Sequence, residues 1–334
     1  MEKIANVKQN NTLDLLKFVA TILIIGSHSL PIFRYDYYNF IYGQWLFRFC
    51  VPLFFLSSGY FFEEMNCKHK KIYIGRIVKI YLLSLVVYAP LLLKNSENIV
   101  DIFRNCLFGW RHLWYLSALQ VSLIIIYLMK LNNKKYNHLI ILTALVLITM
   151  GAFFDEYFKL FHLKGLERIS KFINVGGGVR HFLFFALPLL LIGKVIQNYK
   201  DFICTKMSKN KLIYTSFFFA VLSLGECIYL RNHVGDMLTC DITFFNWIPA
   251  VFIFILTFKY HIRIKQGRRL RKLADYMYIL HIWVIVLVQS VYSNHYMSKF
   301  MVILIVTLLV SGISLSIFEK LGSRKGFFLV RYFF

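Results

Sequence analysis

A lysine and a histidine interrupt the first apolar run of the chain, LDLLKFVATILIIGSHSLPIF from Leu13 to Phe33, with ten residues between them. On a helix Lys17 and His28 stand about 16 Å apart, so they do not pair with each other. An ionisable group inside an apolar span is costly unless it faces a cavity or a partner, which makes each a candidate for function. A neutral imidazole takes a proton from a hydroxyl attacking an activated acyl group. His28, in the small-residue segment GSHSLP, has the chemistry of such a base. The plainer reading stays open beside it: a structural histidine satisfied by a carbonyl freed where Pro31 stops the helix. For Lys17 the plain reading is a stem reaching the inner headgroups beside Asp14.

Further candidates lie along the chain. RIVK puts Arg76 and Lys79 three apart on one helix face, just after Lys70 and Lys71. Two cations there suit a phosphate, and equally a membrane edge. The run RIKQGRRLRK, Arg263 to Lys272, is what orientation alone predicts of a cytoplasmic loop. His281 falls near mid-span in YMYILHIW, where a lone histidine is ordinarily a satisfied core residue. Trp114 and Tyr115 read as interfacial aromatics. Arg180 and His181 follow the triple glycine Gly176 to Gly178; an arginine there can bind a sugar or stabilise an oxyanion. Ser57, Ser58 and Gly59 suit close helix approach, and without a Gly-x-Ser-x-Gly elbow no serine nucleophile is expected. Asp36, Asp155, Glu156, Glu226 and Asp241 are all outer acids, and no spacing singles one out as the partner of His28. The six cysteines show no CxxC or zinc spacing and read as packing residues, with Cys227 and Cys240 able to meet outside; no metal is expected.

These groups need elements that cross a membrane. The chain has 334 residues, is 58% hydrophobic and has a mean hydropathy of +0.60, well beyond a soluble domain. Apolar stretches of spanning length predict ten helices, centred near Ile22, Leu53, Leu83, Val121, Leu145, Leu187, Phe218, Phe252, Val284 and Ile305. The expected architecture is an all-α polytopic membrane protein with a single domain over 1–334. It comprises a cytoplasmic segment over 1–12, a ten-helix bundle over 13–318 and a basic tail over 319–334. The first span, with Lys17 inside it and no small-residue cleavage motif after His28, is expected to stay as a helix.

Net charge is +23 from 39 Lys and Arg against 16 Asp and Glu. With the N-terminus inside, 26 of those cations fall in cytoplasmic segments and 12 outside, which places both termini in the cytoplasm. The basicity is therefore topology and attraction to anionic lipid. No aromatic-plus-basic platform lies outside a span, so nucleic acid is set aside.

LDLLKFVATILIIGSH resembles the first-helix pattern of the bacterial integral-membrane acyltransferase 3 family, a basic residue followed after ten others by histidine. FRFCVPLFFLSSGYFF, HLWYLSALQV, VRHFLFFALPLLLIGKVI and DYMYILHIWVIVLV are similar to its second, fourth, middle and late helices. The resemblance implies O-acyl transfer, usually of acetyl from cytoplasmic acetyl-CoA, onto sugars of extracytoplasmic or lipid-linked glycans, in the bacterial plasma membrane. It carries the catalytic histidine to His28 and donor contacts to Lys17, Arg76 and Lys79. Trp114, Arg180 and His281 become candidates for the acceptor side. Lys17 departs from the commoner arginine, a point charge in place of a bidentate fork. An acyl-histidine relay is the variant of direct transfer.

SHSLPIF and RFCVPLFFLSSGYFF also resemble the membrane half of vancomycin-resistance serine racemases, a related branch implicated in moving serine. No stretch reads as a racemase half or as the hydrolase-like domain appended in some members, so a membrane unit alone is expected. The competing reading is a transporter of an amino acid such as serine; inverted repeats and paired broken helices, which would favour it, are not evident.

Overall fold

In the computed structural model, residues 10–130, 133–161, 181–235, 238–292 and 296–323 are described. They are mostly helical, with no strand among the described residues, and the chain folds as two compact units, one built on Val51–Ile255 and the other on Lys8–Cys50 with Leu256–Phe334.

The second unit carries α1 (Asn11–His28), α2 (Asp36–Gln44), α13 (Gly267–Val291) and α14 (Tyr296–Ser323). Helix α1 starts where it does because the Asn10 side chain accepts from the Leu13 N–H at 3.1 Å, satisfying a first-turn donor. Helix α13 lies against both α1 and α14.

The first unit holds α3 (Cys50–Glu64), α4 (Cys67–Lys94), α5 (Ile99–Phe108), α6 (Trp114–Met129), α7 (Asn137–Ala152) and the short α8 (Phe158–Phe161). After these come α9 (Leu187–Asn198), α10 (Lys200–Lys206), α11 (Lys209–Val234) and α12 (Ile248–Leu256). Every residue of α9 from Leu187 to Ile196 is buried, and all of them but Lys194 are apolar, Pro or Gly, as expected of a helix enclosed on every side. Helix α3 crosses it with the backbones nearly touching. A Cβ on Gly59 would stand 2.1 Å from the Leu190 carbonyl oxygen, and one on Gly193 2.1 Å from that of Leu56. Gly59 thus serves the close approach its small-residue neighbourhood predicts.

Ten spans are predicted; among the described residues seven helices are long and apolar enough to cross a membrane. An eighth candidate is the pair Phe182–Asn198 and Lys200–Lys206, bent by 68°. The difference falls on two segments. The run around Phe252 forms only the nine residues of α12, about 14 Å of helix against a hydrocarbon core of about 30 Å. Helix α1 is 18 residues long with Asn11, Asp14, Lys17 and His28 near its ends. The protein is a multi-pass membrane protein.

Candidate functional site

The two histidines singled out by the sequence meet in the second unit. His28 occupies the last turn of α1, where Ser29 closes the helix through its N–H to the Gly26 carbonyl at 2.9 Å and its hydroxyl to the Ile25 carbonyl at 2.7 Å. His28 itself is exposed. Beside it, Gly26 admits the hydroxyl of Tyr42 from α2: a Cβ there would lie 2.0 Å from that oxygen, which donates to the Leu23 carbonyl at 3.0 Å.

His281, on α13, is fully buried. Its Nδ1 lies 2.7 Å from the Tyr278 carbonyl and 3.2 Å from that of Met277. Carbonyl oxygens only accept, so Nδ1 carries the hydrogen and the neutral ring keeps its lone pair on Nε2. The His28 and His281 ring centres are 5.3 Å apart with their planes tilted by 40°. An accessible imidazole is thereby backed by a buried one whose tautomer the helix backbone sets.

At the other end of α1, Lys17 is half-buried and lies among the charges of Asp275, Arg271 and Asp14. Asp14 is buried, and its Oδ1 is 3.8 Å from Arg271 Nη1.

In the first unit, Arg76 and Lys79 are both exposed on α4, on one face as their spacing predicts. Trp114 opens α6 and is packed among aromatic rings, stacked on Phe185 at 6.0 Å and tilted against Phe55 at 6.3 Å. Arg180 lies outside the described residues. Its neighbour His181 accepts the Leu183 N–H on Nδ1 at 3.1 Å, capping the π-helical turn Phe182–Ala186. Burial pushes its pKa below the ordinary histidine value.

Three of the acids expected on the outer side hold a loop in place. Glu156 Oε1 accepts from the Thr239 N–H and hydroxyl and from the Cys240 N–H, at 2.9, 2.6 and 2.9 Å. Asp155 takes the Ile242 N–H at 2.9 Å. Glu226 takes the Tyr157 hydroxyl at 2.6 Å, the Thr243 hydroxyl at 2.7 Å, and the Phe244 and Phe245 N–H groups at 2.8 and 2.9 Å. The three carboxylates thus take up eight donors of the segment and its neighbours. Asp36 is the exposed first residue of α2.

The acyltransferase-domain family model matches residues 10–317 of the 334, from the cap of α1 to within α14. The chain belongs to this acyltransferase family. Curated relatives of the family member include an amino-acid racemase of Enterococcus faecalis, 26% identical over 80% of this chain and 38% of its own length. A second amino-acid racemase of that organism is 23% identical, with coverages of 94% and 47%. A serine/alanine racemase of Enterococcus gallinarum is 23% identical, with coverages of 87% and 42%. The acyltransferase-family chain spans less than half the length of these relatives. No solved structure matches it.

Two features of this family member have no counterpart in the sequence-based reading. Asp275, in the N-terminal half of α13, is an acid beside Lys17; its signal is an acid just after an arginine run. An ion pair joins the half-buried Glu63 of α3 to the buried Lys194 of α9, with Lys70 also 3.3 Å from Glu63. These partners are far apart in sequence, and no local pattern joins them.

Proposed function

We propose that the protein is a membrane O-acyltransferase that moves an acyl group, read as acetyl, from cytoplasmic acetyl-CoA to a hydroxyl of an extracytoplasmic or lipid-linked glycan. The observation that carries this reading is the His28–His281 pair, within a chain of the acyltransferase family. His28, the exposed member, takes the proton of the acceptor hydroxyl as its oxygen attacks the thioester carbonyl. The new C–O bond forms, the C–S bond breaks, and the CoA thiolate leaves and recovers the proton from the imidazolium. His281 supports the His28 ring from the buried side. The donor phosphates are assigned to Arg76 and Lys79, two exposed cations on one face of α4.

The test is transfer of radiolabel from acetyl-CoA to the lipid and glycan fractions of membranes containing the wild-type chain or His28→Ala at matched expression. Label that depends on His28 supports the reading and delivers the acceptor for identification. Background label with both chains overturns it.

A second reading follows from the resemblance to the membrane half of serine racemases: passage of an amino acid such as serine across the membrane, and one of the relatives is named a serine/alanine racemase. Uptake of labelled serine that depends on this chain, with no acyl transfer, would establish it.

A further inference from the structure

The inner ends of α1 and α13 carry four charges in complementary order. Along α1 the sequence runs acid then base, Asp14 and Lys17; along α13 it runs base then acid, Arg271 and Asp275. Asp14 is only 4% exposed and faces Arg271, with the 3.8 Å separation given above. Lys17 lies one turn on, with Asp275 and Asp14 as its counter-charges. The four sum to zero, so none is a buried unpaired charge of the kind that destabilises. Sliding either helix by a turn sets like charge toward like, which penalises every other register.

The chain leading into α13 is fastened to α1 as well. Asn10 Nδ2 donates to the Thr257 carbonyl at 3.1 Å, Asn11 Nδ2 to that of Ile264 at 3.4 Å, and the Thr12 hydroxyl to that of Tyr260 at 2.7 Å. The Ile262 N–H returns a hydrogen bond to the Thr12 hydroxyl at 3.0 Å. Each helix runs uninterrupted from this charged end to its histidine, from Lys17 to His28 and from Asp275 to His281.

We propose that Asp14, Lys17, Arg271 and Asp275 form a register lock between α1 and α13, and that Lys17 and Asp275 are positioning residues that bring His28 onto His281. Lys17 then serves the helix pair, and the donor phosphates are left to other cations. The proposal rests on the assignment of His28 as the base.

The test has two arms. In the first, label transfer from acetyl-CoA is measured for Lys17→Met, Asp275→Asn, Asp275→Glu and the exchanged Lys17→Asp/Asp275→Lys chain. Removing either charge is expected to lower kcat by about tenfold or more, as misplaced catalytic groups do, while the KM for acetyl-CoA stays within about twofold. Asp275→Glu and the exchange, which leaves two acids facing two bases, are expected to recover most of the rate. A rise in donor KM for Lys17→Met at unchanged kcat overturns the proposal and makes Lys17 a donor ligand. The second arm is independent of activity. A His28→Cys/His281→Cys chain is treated with a short bis-maleimide, whose two ends each form a thioether with a cysteine thiol, and the linked α1–α13 peptides are quantified by mass spectrometry. Linking is expected to fall when Asp275→Asn is added and to return with the exchange; linking unchanged by Asp275→Asn overturns the lock. If wild type transfers no label, the acyltransferase reading fails and the linking arm alone decides the lock.

Discussion

His281 holds its Nδ1–H on the Tyr278 carbonyl at 2.7 Å and meets the exposed ring of His28 at 5.3 Å between centres. The backbone bond fixes which nitrogen of the buried ring bears hydrogen, so the ring presents one defined face chemistry toward its partner. That division, one imidazole reachable and the other enclosed, separates the expected consequences of removing each.

His28→Ala is expected to lower acetyl transfer by about 10²- to 10⁴-fold, the range of a lost general base. His281→Phe, which keeps the bulk, is expected to cost less, about tenfold, with folding intact. Initial rates with labelled acetyl-CoA distinguish the two. Wild-type rates for His281→Phe would sink the idea that the buried ring matters.

Gly59 and Gly193 each face a carbonyl oxygen that an added Cβ would strike at 2.1 Å. The obstruction is backbone on both sides, so no rotamer change relieves it. Gly59→Ala or Gly193→Ala is expected to destabilise by about 1–3 kcal/mol or more, read as a lower Tm in detergent. Gly225→Ala, which meets nothing within 4 Å, serves as the control and is expected to be near neutral.

Glu226→Ala would strand the Tyr157 and Thr243 hydroxyls and the Phe244 and Phe245 N–H groups. With buried unsatisfied groups costing about 1–3 kcal/mol each, the variant is expected to lose about 3 kcal/mol or more. Amide hydrogen exchange over residues 242–245 is expected to accelerate, whereas unchanged protection there would show that the carboxylate does not order the segment.

Glu63→Gln is expected to destabilise by about 3–5 kcal/mol by leaving the buried Lys194 ammonium without its carboxylate. Adding Lys194→Met, which replaces the charge by apolar bulk, should recover much of that loss. A double variant as unstable as the single one would contradict it.

Burial lowers the pKa of His181, so the folded chain resists protonation while the unfolded chain accepts a proton near pH 6.5. Its contribution is fully present above that pH and declines as pH falls through the unfolded value toward the folded one. His181→Asn keeps an acceptor for the Leu183 N–H and removes the titration. The Tm advantage of wild type over His181→Asn is expected to shrink between about pH 8 and about pH 5.

Membrane class, helical architecture and family are legible without coordinates, because long apolar runs and the Lys17-to-His28 spacing are local patterns written in single segments. His28 and His281 were each legible as ionisable groups in apolar surroundings. That they face one another was not, since 253 positions separate them and only the packing of α1 on α13 joins them. The same holds for Asp275 beside Lys17 and for Glu63 beside Lys194. The outer acids looked interchangeable as partners for a histidine; three-dimensional contacts commit Asp155, Glu156 and Glu226 to a loop's amide groups. Span length also needed the structure at α12, where an apolar run ended after nine residues. Apolar patterning reports where a helix prefers to sit; which charge meets which is set by helix register and crossing, and those are properties of the packed pair.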